Sequence, residues 1–185
     1  PDQGEVRVDD KPLPWATLES VRNQVGMVLQ DDLIFNDSIA TNIGCGNEAY
    51  TLPKIIEAAK AAHAHNFIMK LPGGYDTVIG EMGESLSVSQ QFRVALARAI
   101  LRDPTIMVIE EPAHGLTDDD KAWFDDTLSR FLQNRTTILL PTRLSTLRKA
   151  DRVVMLHQGA LLDQGTDPEL IRRCPRYKHW QYMQY

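Results

Sequence analysis

The 185-residue chain carries 20 Lys and Arg against 25 Asp and Glu, a formal net charge of −5, with 43% hydrophobic and 24% charged residues. These are globular proportions, enough for one core or one core with a small subdomain, and an acidic balance without a Lys/Arg stripe argues against nucleic acid as a partner. No run of 18 apolar residues is present, and Cys45 and Cys174 form neither a metal nor a redox spacing, so the expectation is a soluble chain with reduced thiols in a cytosolic setting.

The opening PDQGEVRVDDKPL starts in mid-pattern, with a turn and a strand around Glu5–Val8, and reads as a fragment boundary. WATLESV is a second short element. It leads into QVGMVLQ, whose Val25, Met27, Val28 and Leu29 predict a strand ending at Gln30, with Asp31 and Asp32 as its stop. From Leu33 to about Leu71 the pattern is helical. Ser38, or Asn36–Asp37, caps a first helix through Ile43, and Thr51 caps a second, with Pro53 in its first turn and Ile55, Ile56, Ala59 and Ala62 on one face. A third, HNFIMKL, is stopped by Pro72-Gly73-Gly74, and GYDTVIGEMG follows as a loop. His63 and His65 are two apart on a helical stretch, so they point to different faces and do not chelate one metal together.

GESLSVSQQFRVALARAIL places Phe92, Ala95, Leu96, Ala99 and Ile100 on one helical stripe, with Ser87 or Ser89 at its cap. Strand–helix alternation follows. TIMVIE is a continuous apolar strand of the kind buried on both faces, about Asp119 to Gln133 is a helix, and TTILLP is a second buried strand. RLSTLRKA is a short helix, RVVMLHQGALLDQG a hairpin with His157 in its turn, DPELIRRC a capped helix, and PRYKHWQYMQY a partly aromatic tail that packs through Trp180 and its tyrosines. The second half therefore predicts a parallel α/β layer and the middle a helical insertion.

Two places could carry chemistry. A helix N-terminus presents unpaired N–H groups and partial positive charge, so the serine loop before Phe92 suits an anion such as phosphate, although a simply capped helix accounts for it as well. Val88 stands where close backbone approach to a phosphate would favour glycine. In IMVIEEP the buried strand ends in Glu110 and Glu111, at the edge where ligands bind in parallel sheets. One carboxylate there could hold Mg²⁺ through its water shell and the next could polarise an attacking water; a solvated strand end is the plainer alternative.

Taken in order, these segments resemble the nucleotide-binding domain of ATP-binding cassette (ABC) transporters over nearly the whole chain. VGMVLQDDLIFNDSIATNI is similar to the family's glutamine loop, GYDTVIGEMGESLSVSQ to the exporter-type loop running into the signature, ALARAILRDPTIMVIEEP to the Walker B strand, and TRLSTLRKADRVVMLHQGALLDQGTDPEL to the switch region and closing hairpin. The resemblance implies a RecA-like P-loop α/β core lacking its first P-loop unit, with an inserted helical subdomain. Its expected parts are a β-subdomain remnant and core strand at 1–30, the helical subdomain at 31–88, the core with its hairpin at 89–167, and a C-terminal helix and tail at 168–185.

The resemblance also implies roles. Gln30 and Glu110 would meet Mg²⁺, Glu111 would be the general base, and Thr142 holds the switch-histidine position. Ser87, Val88, Ser89 and Gln90 would face the γ-phosphate bound to the opposite subunit. ATP and Mg²⁺ are implied as cofactors of an intact parent, held weakly or not at all by these residues alone. A second nucleotide-binding domain, and a transmembrane domain met through about 31–43, are the implied partners, on the cytoplasmic face of a membrane.

Several residues depart from the pattern. GxxxxGK[ST], which supplies the phosphate cradle, is absent from these 185 residues and is expected upstream of Pro1. LSGGQ appears as Leu86-Ser87-Val88-Ser89-Gln90, Asp-Glu as Glu110-Glu111, and SALD as His114-Gly115-Leu116-Thr117 unless Asp118 supplies its carboxylate. The expectation is a catalytically degenerate cassette coupling ATP binding and hydrolysis to transport. The alternative is a non-catalytic module that dimerises with, or regulates, an intact cassette.

Overall fold

A computed structural model describes residues 3–30 and 33–183; the stop expected at Asp31 and Asp32 and the last two residues of the tail lie outside them. The chain divides into two compact units, 1–138 and 139–185, with the boundary inside a strand.

The first unit opens with a small antiparallel pair, β1 (Arg7–Val8) and β2 (Lys11–Pro12). WATLESV becomes a 3₁₀ turn over Leu13–Trp15 and a helix, α1 (Leu18–Gln24), whose N-cap Thr17 accepts a hydrogen bond from the Ser20 N–H. β3 (Val25–Val28) then runs parallel to β6 (Ile106–Glu110), with Val25 opposite Ile106 and Val28 opposite Ile109. The sheet order is β3–β6–β7, β7 being Thr136–Leu140.

Gly26, Val28, Met107 and Ile109 share one buried face of the pair. The apolar runs were expected to be buried on both faces, and the structure corrects this for β7. Ile138 and Leu140 are 54% and 51% exposed, and Ile106 and Val108 are half-buried. Side chains alternate across a strand, and one face of β3 and β6 is fully buried while no residue of β7 is.

The helical insertion follows the sequence closely. α2 (Ile39–Gly44) is capped by Ser38, whose hydroxyl accepts from the Thr41 N–H. α3 (Leu52–Ala61) starts at Thr51 with Pro53 in its first turn, though the Thr51 side chain makes no cap bond. α4 (His65–Ile68) ends the insertion's helices. Ala58 and Ala59 of α3 are buried, and their small side chains let it lie close on the long helix α5 (Val88–Arg102). GYDTVIGEMG is more ordered than expected. Its Val78–Ile79 forms a strand, β5, paired antiparallel with Asp37–Ser38, β4.

α6 (Asp118–Phe131) packs on α5 through three rings: Phe92 of α5 meets Phe124 edge-on at 5.3 Å and lies 6.3 Å from Trp123. Such pairs are worth about 0.5–1.5 kcal/mol beyond their buried area. They hold the starts of α5 and α6 together.

The second unit contains α7 (Leu144–Leu147), the hairpin β8 (Val153–His157) and β9 (Ala160–Gly165), and α8 (Asp167–Arg173). His157 is the last residue of β8, paired with Ala160, rather than part of the turn itself. The described part of the tail is a helix, α9 (Pro175–Tyr182), whose Tyr177 is buried with Leu147, Leu170 and Cys174 while Trp180 packs beside it. Among the described residues no helix is long and apolar enough to cross a membrane.

Candidate functional site

Parallel pairing carries two strand ends to one edge of the sheet. Because Val28, the last residue of β3, lies opposite Ile109, the turn at Gln30 comes beside the point where the chain leaves β6 at Glu110 and Glu111. The Gln30 N–H donates to Glu110 Oε2 at 3.3 Å, and Gln30 Oε1 accepts from the Ala113 N–H at 3.1 Å. Gln30 thus bridges the carboxylate and the turn that follows it. Glu111 is 1% exposed, with Pro112 buried next to it. Glu111 therefore lies at the C-terminal edge of a parallel sheet, where ligands bind in such folds.

Among the described residues no three His, Cys, Asp or Glu side chains converge as a metal cage. Two carboxylates and one amide are hard oxygen donors that suit Mg²⁺ only when phosphate oxygens and water complete its shell. The donor set therefore fits a nucleotide-borne Mg²⁺ rather than a resident ion.

The serine loop has a different set of partners. Ser87 is the N-cap of α5, its Oγ accepting from the Gln90 N–H at 3.2 Å while Gln90 Oε1 accepts from the Ser87 N–H at 2.9 Å. This reciprocal capping box uses Ser87 Oγ only as acceptor, which leaves the hydroxyl proton available to a further acceptor. Val88 is half-exposed, and Ser89 is 5% exposed with its hydroxyl donating to Asp120 Oδ1 at 2.6 Å. Ser87 and Val88 thus lie on the open side of the loop, and Ser89 faces inward.

Asp120 is the group the sequence reading missed. It sits in the first turn of α6 and accepts from Ser89, from Trp123 Nε1 at 2.8 Å, from the Thr117 N–H and hydroxyl at 2.9 and 2.8 Å, and from the Arg93 guanidinium. Burial pushes its carboxyl up, but the bonds from Ser89, Trp123 and Thr117 outweigh that and hold it well below the usual carboxylate range. The T-x-x-D spacing of Thr117 and Asp120 was a legible capping signal; the reach to Ser89 was not.

Asn42 and Arg98 were missed as well. Asn42 is fully buried and its side-chain amide ties down the 35–38 backbone, while Arg98 Nε and Nη2 donate to the Asn42 and Leu33 carbonyls at 2.9 Å each. His63 and His65 have separate partners, Asp126 and the Tyr75 hydroxyl. Asp118 is an exposed residue paired with Lys121. Thr142 belongs to the second unit, half-buried just after β7.

Comparison with known proteins decides the family. A family model described as ABC transporter matches residues 1–114. The chain belongs to the ABC transporter family. Among curated ABC relatives it is 37% identical to an ATP-dependent lipid A-core flippase of Syntrophus aciditrophicus, over 98% of this chain and 30% of that protein. It is 39% identical to P-glycoprotein 14 of Caenorhabditis elegans, over 96% of this chain and 13% of that protein. A solved bacterial Atm1-family ABC exporter with ATP bound superposes with a TM-score of 0.89 at 35% identity, over 98% of this chain and 32% of that one. The fold is the RecA-like α/β core of an exporter-type ABC nucleotide-binding domain. The chain spans about a third or less of the length of these relatives.

Proposed function

We propose that this chain is the ATP-driven part of an ABC exporter, coupling nucleotide binding and hydrolysis to movement of transmembrane helices, with its chemistry weakened relative to the family pattern. The observation that carries the reading is the edge formed by Gln30, Glu110 and buried Glu111. There Mg²⁺, arriving with ATP, would neutralise charge on the phosphate oxygens. Gln30 and Glu110 would orient its water shell, and the Glu111 carboxylate would accept the proton of the attacking water. Ser87, through its free hydroxyl proton, and the first turn of α5 would face the phosphate held by a second nucleotide-binding domain. The segment at about 31–43 would meet the transmembrane domain, at the cytoplasmic face of the membrane.

A second reading is favoured by one observation. Ser89 directs its hydroxyl to Asp120, which removes one donor from the phosphate-facing loop. In that reading the chain is a pseudo-ATPase module that pairs with, or regulates, an intact cassette. Calorimetric titration with Mg-ATP separates the two, performed on the 185 residues and on the full gene product that encodes them. The first reading expects binding in the full product, and a Glu111→Gln variant that keeps binding while hydrolysis falls by about 10²–10⁴-fold. Absence of binding in both would overturn it and leave the scaffold.

A further inference from the structure

Both residues that replace the signature glycines find their partner on the same neighbouring stretch. Gly115, at φ +82°, lies against Val88, and a Cβ there would come within 3.0 Å of the Val88 Cβ and 3.3 Å of its Cγ2. The valine fills the room that the glycine leaves. Two residues past the α5 N-cap, Ser89 donates to Asp120 Oδ1, while Asp120 Oδ2 receives the N–H and hydroxyl of Thr117. Thr117 in turn accepts the Asp120 N–H on Oγ1 at 3.2 Å, so one carboxylate caps α6 and holds the first turn of α5. Arg93 closes the arrangement from the next turn of α5. Its guanidinium pairs with Asp120, lies 4.5 Å from the Trp123 ring centre and donates to the His63 carbonyl at 3.2 Å.

We infer that Val88–Gly115 and Ser89–Asp120 form a two-point clasp that makes the serine loop and the 113–117 turn move as one body, with Ser89 and Asp120 as positioning residues. The clasp rests on the proposed function only for its consequence: two loops that would both face phosphates at a shared interface lose their independent motion. A bare glycine loop would leave each free to adjust alone. Here a displacement of the 113–117 turn is passed to Ser87 through packing on one side and a charge-assisted hydrogen bond on the other.

Residue-resolved amide hydrogen exchange on the 185-residue chain tests this without nucleotide, so its outcome is separate from whether the chain hydrolyses ATP. The probes are the amides of Gln90, Thr117 and Asp120, with Leu96 and Met107 reporting global opening. Ser89→Ala is expected to speed exchange at Gln90 and at Thr117 and Asp120 together, by about tenfold or more for the loss of a hydrogen bond to a charged group. Faster exchange confined to Gln90, no change at any probe, or a uniform rise that includes Leu96 and Met107 would each overturn the clasp. Gly115→Ala tests the packing half. It is expected to raise exchange at both ends, and Val88→Gly in the same chain to lower it again in part; absence of that rescue would remove Val88 from the device.

Discussion

Asn42 is the side chain whose removal has the most legible effect. Its Oδ1 accepts the Phe35 N–H at 2.8 Å, and its Nδ2 donates among the carbonyls of Phe35, Asp37 and Ser38 at 2.9, 3.2 and 3.0 Å, with no part of the residue exposed. Asn42→Ala strips partners from one N–H and up to three carbonyls. Phe35 and Asp37 are exposed enough for water to replace some of these bonds. Two to three net bonds at about 1 kcal/mol each give a loss of about 2–3 kcal/mol. For a chain of this size that lowers the melting temperature by about 4–12 °C, read by circular dichroism. Asn42→Asp should be worse at neutral pH, because a buried carboxylate keeps the bond from Phe35 but turns its other lone pairs on three carbonyl oxygens. A melting temperature within about 1 °C of wild type for Asn42→Ala would refute the account, since even one net bond is worth more than that. So would an Asp variant at least as stable as the Ala variant.

Two further outcomes are expected. Gly26→Ala places a methyl 2.5 Å from Pro104 Cγ and 2.7 Å from Met107 Sδ, so a denaturant titration should give a loss of about 1–3 kcal/mol; an unchanged midpoint would show that the turn before β6 yields freely. Burial, helped by the Glu57 charge, pushes the Tyr75 hydroxyl up to about 12. The neutral phenol is the folded form, so its contribution is complete below the unfolded tyrosine value of about 10 and is lost as pH rises from there toward the folded value. Absorbance at 295 nm should show late titration that diminishes in Tyr75→Phe, and an unaltered alkaline curve would contradict the assignment.

The elements defined by local pattern were readable from sequence. Ser38 and Ser87, each one of the cap candidates, cap their helices, and Gln30, two residues past the end of β3 rather than its last residue, sits beside Glu110 at the end of β6. The family resemblance rested on these segments in order, and the fold agrees with it. Burial of β7 was not readable, because a run such as TTILL has the same composition whether one or both faces are covered. The Ser89–Asp120 bond was hidden for another reason: it joins two helix starts 31 positions apart, and only the ring packing of α5 on α6 brings them together. Asn42 gave no signal either. An asparagine in a helix reads as a mild propensity defect until its amide is seen bonded to the preceding turn.

The contact between Gln30 and Glu110 joins residues 80 positions apart in the chain. Several pieces between them close on nearer neighbours: Asn42 on 35–38, β5 on β4, α3 on α5. Such local pieces close quickly, whereas a parallel pair bears the entropy of a long loop. On a ribosome adding about 5–20 residues per second, the carboxylates of β6 emerge roughly 4–16 s after the strand that must receive them. Until then β3 lacks the one strand it pairs with among the described residues, and is open to pairing with another nascent chain. The edge that would do the chemistry thus closes only after the helical stretch between its two strands has been made, and a delay in synthesis before Ile106 would show as aggregation before it showed as lost activity.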